Sequence, residues 1–455
     1  MMREAFSLGE LEQALGATRT GADVSVRGVS IDSRRIAADD LFVALRGERF
    51  DGHEFIGQAA EQGAVAALVA DSAQCPLPLL SVADTEIALG QLGAYNRSLY
   101  QGVLAAITGS CGKTSVKNML SSIFASQGPT LATLGNLNNE IGVPLTLLRL
   151  APEHRYAVIE MGAGKPGDIA YLVGLGKPQI SLLLNAMPAH LERMGSLQGI
   201  AETKGAILSG LGGRGHAVFP ADSEFTPLWR RLAGSATRLE FSFDSAAPVH
   251  VSGLALHAAG SSFQLHVDTQ QIPVELPLPG RHNVANAMAA GAAAVAAGVP
   301  ASGIAEGLAA VSATDGRLRS REGRDGVRVI DDSYNANPGS VAAAIDVLAT
   351  TPGRRILVLG TMGELGEQVV PMHAQVGRYA AEQGIELLLG LGEYTQHATT
   401  AFGSEGRHFA TLEALLEQLG ECLQSGDTVL VKGSRSAAME RVVQQLVVET
   451  GEEVH

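Results

Sequence analysis

The sequence predicts an α/β chain of three domains, and three observations carry that prediction. At roughly 100–200 residues per domain, 455 residues exceed what one ordinary core serves. Short apolar runs recur with helical stretches between them over most of the chain, the rhythm of doubly wound parallel sheets. One segment, 238–279, breaks that rhythm and alternates apolar and polar residues between turn signals, as a small antiparallel sheet does.

Residues 1–83 read as a small α/β unit. VSVRGVSID (24–32), DLFVAL (40–45) and VAALVA (65–70) are strand-like, and FIGQAAEQGA (55–64) is helical. A helix over 86–99 leads into a second unit, 84–313. There VLAAIT (103–108), YAVIEMG (156–162), ISLLLN (180–185) and HAVFPA (216–221) are strands of a mostly parallel sheet, with helices between them. RLEFSF (238–243), VSGLAL (251–256), SFQLHVD (262–268) and IPVELPL (272–278) form the small antiparallel sheet, and an Ala-rich helix over 283–297 closes the unit. From 314 to 455, VRVIDD (327–332), RILVLG (355–360), ELLLG (386–390) and TVLVKG (428–433) alternate with helices as a third, Rossmann-like open sheet.

Composition narrows the function. The formal net charge of −14 argues against a nucleic-acid scaffold, which carries a basic surplus. It leaves room for anionic ligands in a locally basic pocket. Three cysteines with no CxxC pair point to a reducing compartment without a disulfide or zinc framework. Glu4, Glu10 and Glu12 interrupt the N-terminal segment, so no signal peptide is expected. The longest uncharged stretch, 283–306, contains Pro300 and many Ala and Gly, and reads as a buried helix and turn instead of a membrane span. A cytoplasmic protein is expected.

The strongest motif is TGSCGKTS at 108–115. It follows the strand VLAAIT and opens a helix, VKNMLSSIF, so backbone N–H groups can converge on phosphate oxygens at a helix N-terminus. Lys113 would reach the β- and γ-phosphates and Thr114 would hold Mg²⁺. The usual phosphate loop has a Gly five residues before Gly112, where this chain has Ile107, so the motif is a shortened G-x-x-G-K-T. Cys111 has no His neighbour in sequence and reads as a small loop residue. A second Gly-rich segment, 210–215, fits G-x-G-x-x-G but follows a helix and precedes a strand, the reverse of a dinucleotide fingerprint.

Glu160 ends the strand YAVIEMG, and strand C-termini are where open α/β sheets place ligands. Beside the phosphate loop, a Mg²⁺ role is the better reading than a capping one. His190 follows ISLLLN and projects at the same edge, although a loop histidine is more often structural or solvated. Lys204 lies in the next helix. An ammonium cannot ligate a metal, so the residues alone give Lys204 no place at one.

TGSCGKTS, VIEMGAG (158–164), the run NAMPAH–LERMGS–AETKGAI within 185–207, and GRHNVANAMAA (280–290) together resemble the Mur ligase family. These are ATP-dependent amide-forming ligases of bacterial peptidoglycan precursor synthesis. The resemblance covers essentially the whole chain. GNLNNEIGVPLTLL (135–148), DDSYNANPGS (331–340), GTMGELG (360–366) and VKGSRSAAME (431–440) resemble the member that adds D-alanyl-D-alanine to UDP-N-acetylmuramoyl-tripeptide. Segment 32–55 resembles the UDP-sugar-binding module of the members that add the third residue and the dipeptide. No D-N-P-R motif of the diaminopimelate-adding relative is found in the last domain, which favours dipeptide addition.

The resemblance implies a UDP-sugar domain at 1–83, an ATP-binding domain at 84–313, and a C-terminal domain at 314–455 that binds ATP and the acceptor. It implies that Gly109, Ser110, Cys111, Gly112, Lys113, Thr114 and Ser115 bind ATP, and that Thr114, Glu160, His190 and Lys204 serve two Mg²⁺ ions. Lys204 matches the family's carbamylated lysine, whose carbamate oxygens can support a metal. Asn283 falls on the adenine side, Arg317 reaches the γ-phosphate, and Asp332 contacts the ribose with Tyr334 and Asn335 nearby. Ser33 and Arg34 resemble the UDP-site pair, and Asn136, Asn138 and Asn139 would face the peptide. Lys113, Lys204, His190 and Arg317 are the expected catalytic set. In some relatives an Asp precedes the histidine, whereas this chain has Ala189.

The implied reaction is carboxylate attack on the γ-phosphate of ATP, giving an acyl phosphate that the dipeptide amine then attacks. Arg317 and the phosphate loop lie on different domains, so domain closure would assemble the site and exclude water. The expected partners are small molecules, with no nucleic acid and no membrane insertion, and the expected state is a monomer. Two alternatives stay open. Another ligase of the superfamily, at a different Mur step or on folylpolyglutamate, would keep the chemistry and change the acceptor. A phosphate-loop switch ATPase would hydrolyse nucleotide with no acceptor.

Overall fold

The strand Val103–Thr108 is apolar almost throughout, and Leu104 to Thr108 are buried. Such a strand needs cover on both faces, the condition of a parallel sheet between helices. In the computed structural model, which describes residues 5–47, 49–70, 75–188 and 191–448, it occupies the interior of a nine-stranded sheet. Ile180–Leu183, His216–Pro220 and Thr237–Phe241 follow on one side, and Tyr156–Glu160 and Thr130–Ala132 on the other, all parallel. The loop after Val103–Thr108 therefore sits where neighbouring connections diverge, the crevice in which open α/β sheets bind ligands.

The antiparallel strands expected over 238–279 do not form a sheet of their own. Val249–His257, Gly260–Val267 and Gln270–Leu276 pair antiparallel but continue the edge of the parallel sheet. RLEFSF belongs to the parallel part, since Thr237–Phe241 runs parallel to His216–Pro220. Its alternation has a specific cause. Glu240 is buried within an otherwise apolar end, Leu239 to Phe241, and its carboxylate is held by the Arg230 guanidinium at 2.6 Å. A paired buried charge breaks the apolar run that would have marked the strand.

The uncharged stretch from 283 becomes all but the first two residues of helix Arg281–Ala296, then a turn and helix Ala301–Ala309. No helix among the described residues is long and apolar enough to cross a membrane. Helix Ala301–Ala309 meets helix Lys113–Ala125 backbone to backbone: a Cβ on Gly307 would lie 2.3 Å from the Ile123 Cα. Gly307→Ala should cost about 1–3 kcal/mol through forced separation of the two helices, measured by chemical denaturation. An unchanged midpoint and slope would contradict that packing.

The N-terminal sheet has strand order Thr18–Thr20, Leu79–Ser81, Ala66–Val69, Asp40–Val43 and Gly28–Ser30, with the first pair antiparallel. Helix Thr85–Leu99 starts on an Asp84 cap that accepts from the Glu86 and Ile87 N–H groups. Its buried face is divided. Ala88, Leu89 and Leu92 lie in the N-terminal core, while Asn96 donates to the Leu147 carbonyl at 2.8 Å and Arg97 to that of Gly176 at 2.7 Å.

The C-terminal sheet runs Arg319–Glu322, Arg328–Asp332, Thr428–Lys432, Arg355–Gly360, Leu387–Leu391 and Gly406–Phe409, parallel except for the first pair. The two edge strands have no apolar run to announce them. The segment at 210–215 joins helix Leu197–Ser209 to strand His216–Pro220, the helix-to-strand order read from the sequence.

Candidate active site

The carboxyl ends of the central strands open into a cavity of about 720 Å³, closed from the far side by residues of the C-terminal sheet. Its floor is the loop after Val103–Thr108. Gly112 turns that loop with φ +83°, and a Cβ there would lie 2.6 Å from the Asn286 Oδ1, so both conformation and space require glycine. The helix Lys113–Ala125 then starts without a side-chain cap. Its first-turn N–H groups are left for an anion, which the helix dipole also favours. Lys113 bends back over the loop and donates to the Gly109 carbonyl at 2.7 Å. Burial pushes its ammonium below the usual lysine range, and the Glu160 carboxylate opposes that shift.

Asn185, which ends ISLLLN and opens the NAMPAH run, clamps this loop. Its Oδ1 accepts from the Cys111 N–H at 3.0 Å, its Nδ2 donates to the Cys111 carbonyl at 3.2 Å, and its own carbonyl accepts from the Ser110 N–H at 3.3 Å. Ser110 Oγ in turn donates to the Met187 carbonyl and accepts from the Met187 N–H, both at 2.9 Å. Across the cavity, the Cys111 thiol meets the Asn337 Nδ2 at 3.0 Å. Asn337 caps helix Pro338–Ala349 of the C-terminal sheet, so the loop touches both units.

Glu160 is buried at the end of its strand with both oxygens held. Thr114 Oγ1 donates to Oε2 at 3.0 Å and Asn138 Nδ2 to Oε1 at 2.8 Å. Asn139 has a local role, its Oδ1 accepting from the Gly142 N–H at 2.9 Å, yet it also lines the cavity. Lys204 is 2% exposed on helix Leu197–Ser209. Burial first, and then the positive charge of Lys113, push its ammonium down to about 7.

The opposite wall carries Arg317 with its guanidinium over the Tyr334 ring, 4.5 Å from the centroid. Asp332 is buried against Lys432 at 2.5 Å, and Lys432 also donates to the Asn335 carbonyl at 2.9 Å. Burial pushes the Asp332 carboxyl up from its ordinary range, and Lys432 pulls it back. Asn283 sits inside the first turn of its helix, whose cap position is Gly280, and donates to the Pro279 carbonyl at 2.8 Å. Its neighbour His282 is held neutral by burial and by Lys432, with its pKa lowered to about 4.

The cavity thus gathers Ser110 to Ser115, Asn136, Asn138, Asn139, Glu160, Lys204, Asn283, Arg317, Asp332, Tyr334 and Asn335. Ser33 and Arg34 stand apart from it in the N-terminal unit. Ser33 Oγ donates to the Gln58 Oε1 at 2.9 Å, and Arg34 forms a fork with the Asp32 carboxylate, which it holds down to about 2. His190 and the preceding Ala189 lie outside the described residues. Sequence reasoning missed Asn185, Asn337 and Lys432. All three lie inside runs that carry the family resemblance, NAMPAH, DDSYNANPGS and VKGSRSAAME, but none was singled out there.

A Gly-rich loop that opens a helix thus faces, across one cavity, an arginine and a buried Asp–Lys pair of the C-terminal unit, a layout that fits an enzyme acting on a phosphorylated ligand. The chain belongs to the Mur ligase family. Models of that family match as the Mur ligase catalytic domain at residues 25–95, the middle domain at 107–294 and the glutamate ligase domain at 316–435. Among its relatives is the UDP-N-acetylmuramoyl-tripeptide–D-alanyl-D-alanine ligase of Escherichia coli (strain K12), 45% identical over 445 residues that cover 97% of this chain and 98% of that protein. A crystal structure of MurF from Acinetobacter baumannii matches with a TM-score of 0.92 at 35% identity, covering 98% of this chain and 99% of that one. MurF from Thermotoga maritima in complex with ADP matches at 0.83 and 27% identity, covering 92% and 97%. Family membership makes the chain a ligase and removes the switch-ATPase reading.

Proposed function

We propose that this chain joins D-alanyl-D-alanine to UDP-N-acetylmuramoyl-tripeptide at the expense of ATP, the last cytoplasmic step toward the pentapeptide precursor of peptidoglycan. The observation that carries the reading is the cavity in which Ser110 to Ser115 face Arg317 and Asp332. An oxygen of the tripeptide's terminal carboxylate attacks the γ-phosphorus, the bond to the β-phosphate oxygen breaks, and ADP leaves. The dipeptide nitrogen, attacking as the free amine, then bonds to the acyl carbon and gives up a proton to solvent, and inorganic phosphate leaves with the C–O electron pair. Each reactant brings negative charge, so Lys113 and Arg317 offset repulsion and stabilise charge on the transferred group. Asp332 holds the ribose with Tyr334 and Asn335 beside it, and Asn283 lies at the adenine.

Thr114 and Glu160 fit a magnesium ion. They offer two adjacent oxygens, and no group of three or more His, Cys, Asp or Glu suited to a metal occurs among the described residues. Mg²⁺ keeps several waters and binds through one or two carboxylates plus substrate phosphates. Bound there, it would supply positive charge at the phosphates. Lys204 and His190 complete the proposed set, with a second ion at Lys204 in its carbamylated form. The shift of Lys204 to about 7 supports that modification, because only the neutral amine takes up CO₂.

Ser33 and Arg34 bind the uridine diphosphate on residues 1–83. Asn136, Asn138 and Asn139 face the peptide on the ATP-binding unit at 84–313, and residues 314–455 receive the dipeptide. The chain acts as a cytoplasmic monomer. Phosphate release from Mg-ATP tests the reading, measured with UDP-N-acetylmuramoyl-tripeptide alone and with D-alanyl-D-alanine or single amino acids added. Turnover should require both tripeptide and dipeptide. Preference for a free amino acid would move the enzyme to another Mur step.

A further inference from the structure

Arg317 is presented by a turn whose construction is unusual. The residues on either side of it both have positive φ, Gly316 at +69° and Leu318 at +53°. Glycine tolerates that region and leucine does not, so the turn stores strain that its surroundings must hold. Two consecutive carboxylates at the end of strand Arg328–Asp332 do the holding. Asp331 Oδ2 accepts from the Gly316 N–H at 3.3 Å, and Asp332 Oδ1 accepts from the Leu318 N–H at 3.2 Å. Tyr334 N–H donates to the Gly316 carbonyl at 3.2 Å and places its ring under the guanidinium. Arg317 is therefore pinned before it, after it and beneath it.

Asp332 is occupied by Lys432 and faces the cavity. Asp331 is different. It is 4% exposed, does not line the cavity, and spends its hydrogen bonds on this turn and on Ser333. Ser333 N–H and Oγ both donate to its Oδ1, at 3.2 and 2.6 Å. Arg321 Nε stands 3.6 Å from Oδ2 and supplies the counter-charge. A buried carboxylate costs stability unless it is paired and hydrogen-bonded; here one bond comes from the Gly316 N–H beside Arg317 and two come from Ser333.

We propose that Asp331 is a positioning residue for catalysis: it fixes the strained turn that aims Arg317 at the transferred phosphoryl group. The inference rests on the role given to Arg317 above. It separates Asp331 from its neighbour in function. Asp332 lines the cavity and pairs with Lys432 besides holding the turn, whereas Asp331, outside the cavity, acts on turnover only through Arg317.

A double-mutant cycle tests this, using the full chain with tripeptide, dipeptide and Mg-ATP, read as kcat and as KM for ATP. Arg317→Ala should lower kcat by about a thousandfold or more, in the range of an arginine that stabilises a phosphoryl-transfer transition state. Asp331→Asn should lower kcat by about tenfold and leave KM for ATP within about twofold, the pattern of a contact made in the transition state. In the Arg317→Ala background, Asp331→Asn should cost less than about twofold, because residues acting as a unit are not additive. A carboxylate that merely supported the fold would lower kcat equally in both backgrounds, and that result overturns the proposal. So does a rise in KM with unchanged kcat. Full turnover by Arg317→Ala would instead overturn the role of the arginine itself, and the inference with it. If Asp331→Asn fails to fold, Ser333→Ala, which removes the hydroxyl bracing the same carboxylate, passes through the same cycle with the same criteria.

Discussion

Lys113→Met should lower kcat by ~10²–10³-fold, the scale seen when one preorganised charge stabiliser is removed from a transition state. Methionine keeps the length and apolar stem of the side chain while removing the charge. The ammonium is buried on the loop and already bears a desolvation cost. Removing it should therefore leave thermal stability nearly unchanged, since a buried charge is a weak source of stability. That contrast makes the experiment decisive. A kcat within about threefold of the parent, by phosphate release at saturating substrates, would exclude Lys113 from charge stabilisation. A large loss accompanied by a collapsed melting temperature would assign it to the fold instead. The Gly109 carbonyl that Lys113 occupies is the group it must leave to reach a phosphate.

The second large effect concerns Lys204. Lys204→Met should raise the Mg²⁺ requirement by ~10–100-fold, as loss of a group supporting a metal does. It should also abolish any response to bicarbonate. The parent enzyme, depleted of CO₂ and assayed at limiting Mg²⁺, should lose turnover and recover it on adding bicarbonate. Recovery should be greater at pH 8 than at pH 6, because the amine is mostly neutral only above its pKa of about 7. A ¹³C-bicarbonate carbamate resonance present in the parent and absent from Lys204→Met checks the chemistry directly. Bicarbonate-independent turnover with no such resonance would sink the assignment. The same shift has a sign in stability. The folded pKa of about 7 lies below that of an unfolded lysine, ~10.4. Between these values the unfolded chain holds the extra proton. The unmodified protein therefore gains stability as pH rises through that window and loses it as pH falls toward 7.

What the residues revealed unaided follows a physical line. The central parallel strands were legible because each is a short apolar run buried on both faces, and the phosphate loop because glycines, lysine and threonine stand at one strand-to-helix junction. Strand Thr237–Phe241 was misplaced because Arg230, on the preceding helix, neutralises a glutamate inside it. Arg319–Glu322 and Gly406–Phe409 were missed because edge strands need no apolar face. Asn185 and Asn337 act through partners 74 and 226 residues away, a relation no local pattern records. Lys204 was the opposite case. Its place in the helix after ISLLLN was plain, but an ammonium has no metal chemistry, and only the family resemblance implies the carbamate that would give it one.

The divided face of helix Thr85–Leu99 bears on how this chain could be recombined. Ala88 and Leu92 are nearly inaccessible in one core, while Arg97 is spent on carbonyls of the next. A graft cut before the helix would hand its new host a sheet with one wall missing, and a graft cut after it would strip the recipient of a guanidinium anchoring its own helix end. The seam between the N-terminal and central units is therefore a shared rafter, and any exchange of the N-terminal unit among relatives should travel with that helix and the surfaces it joins.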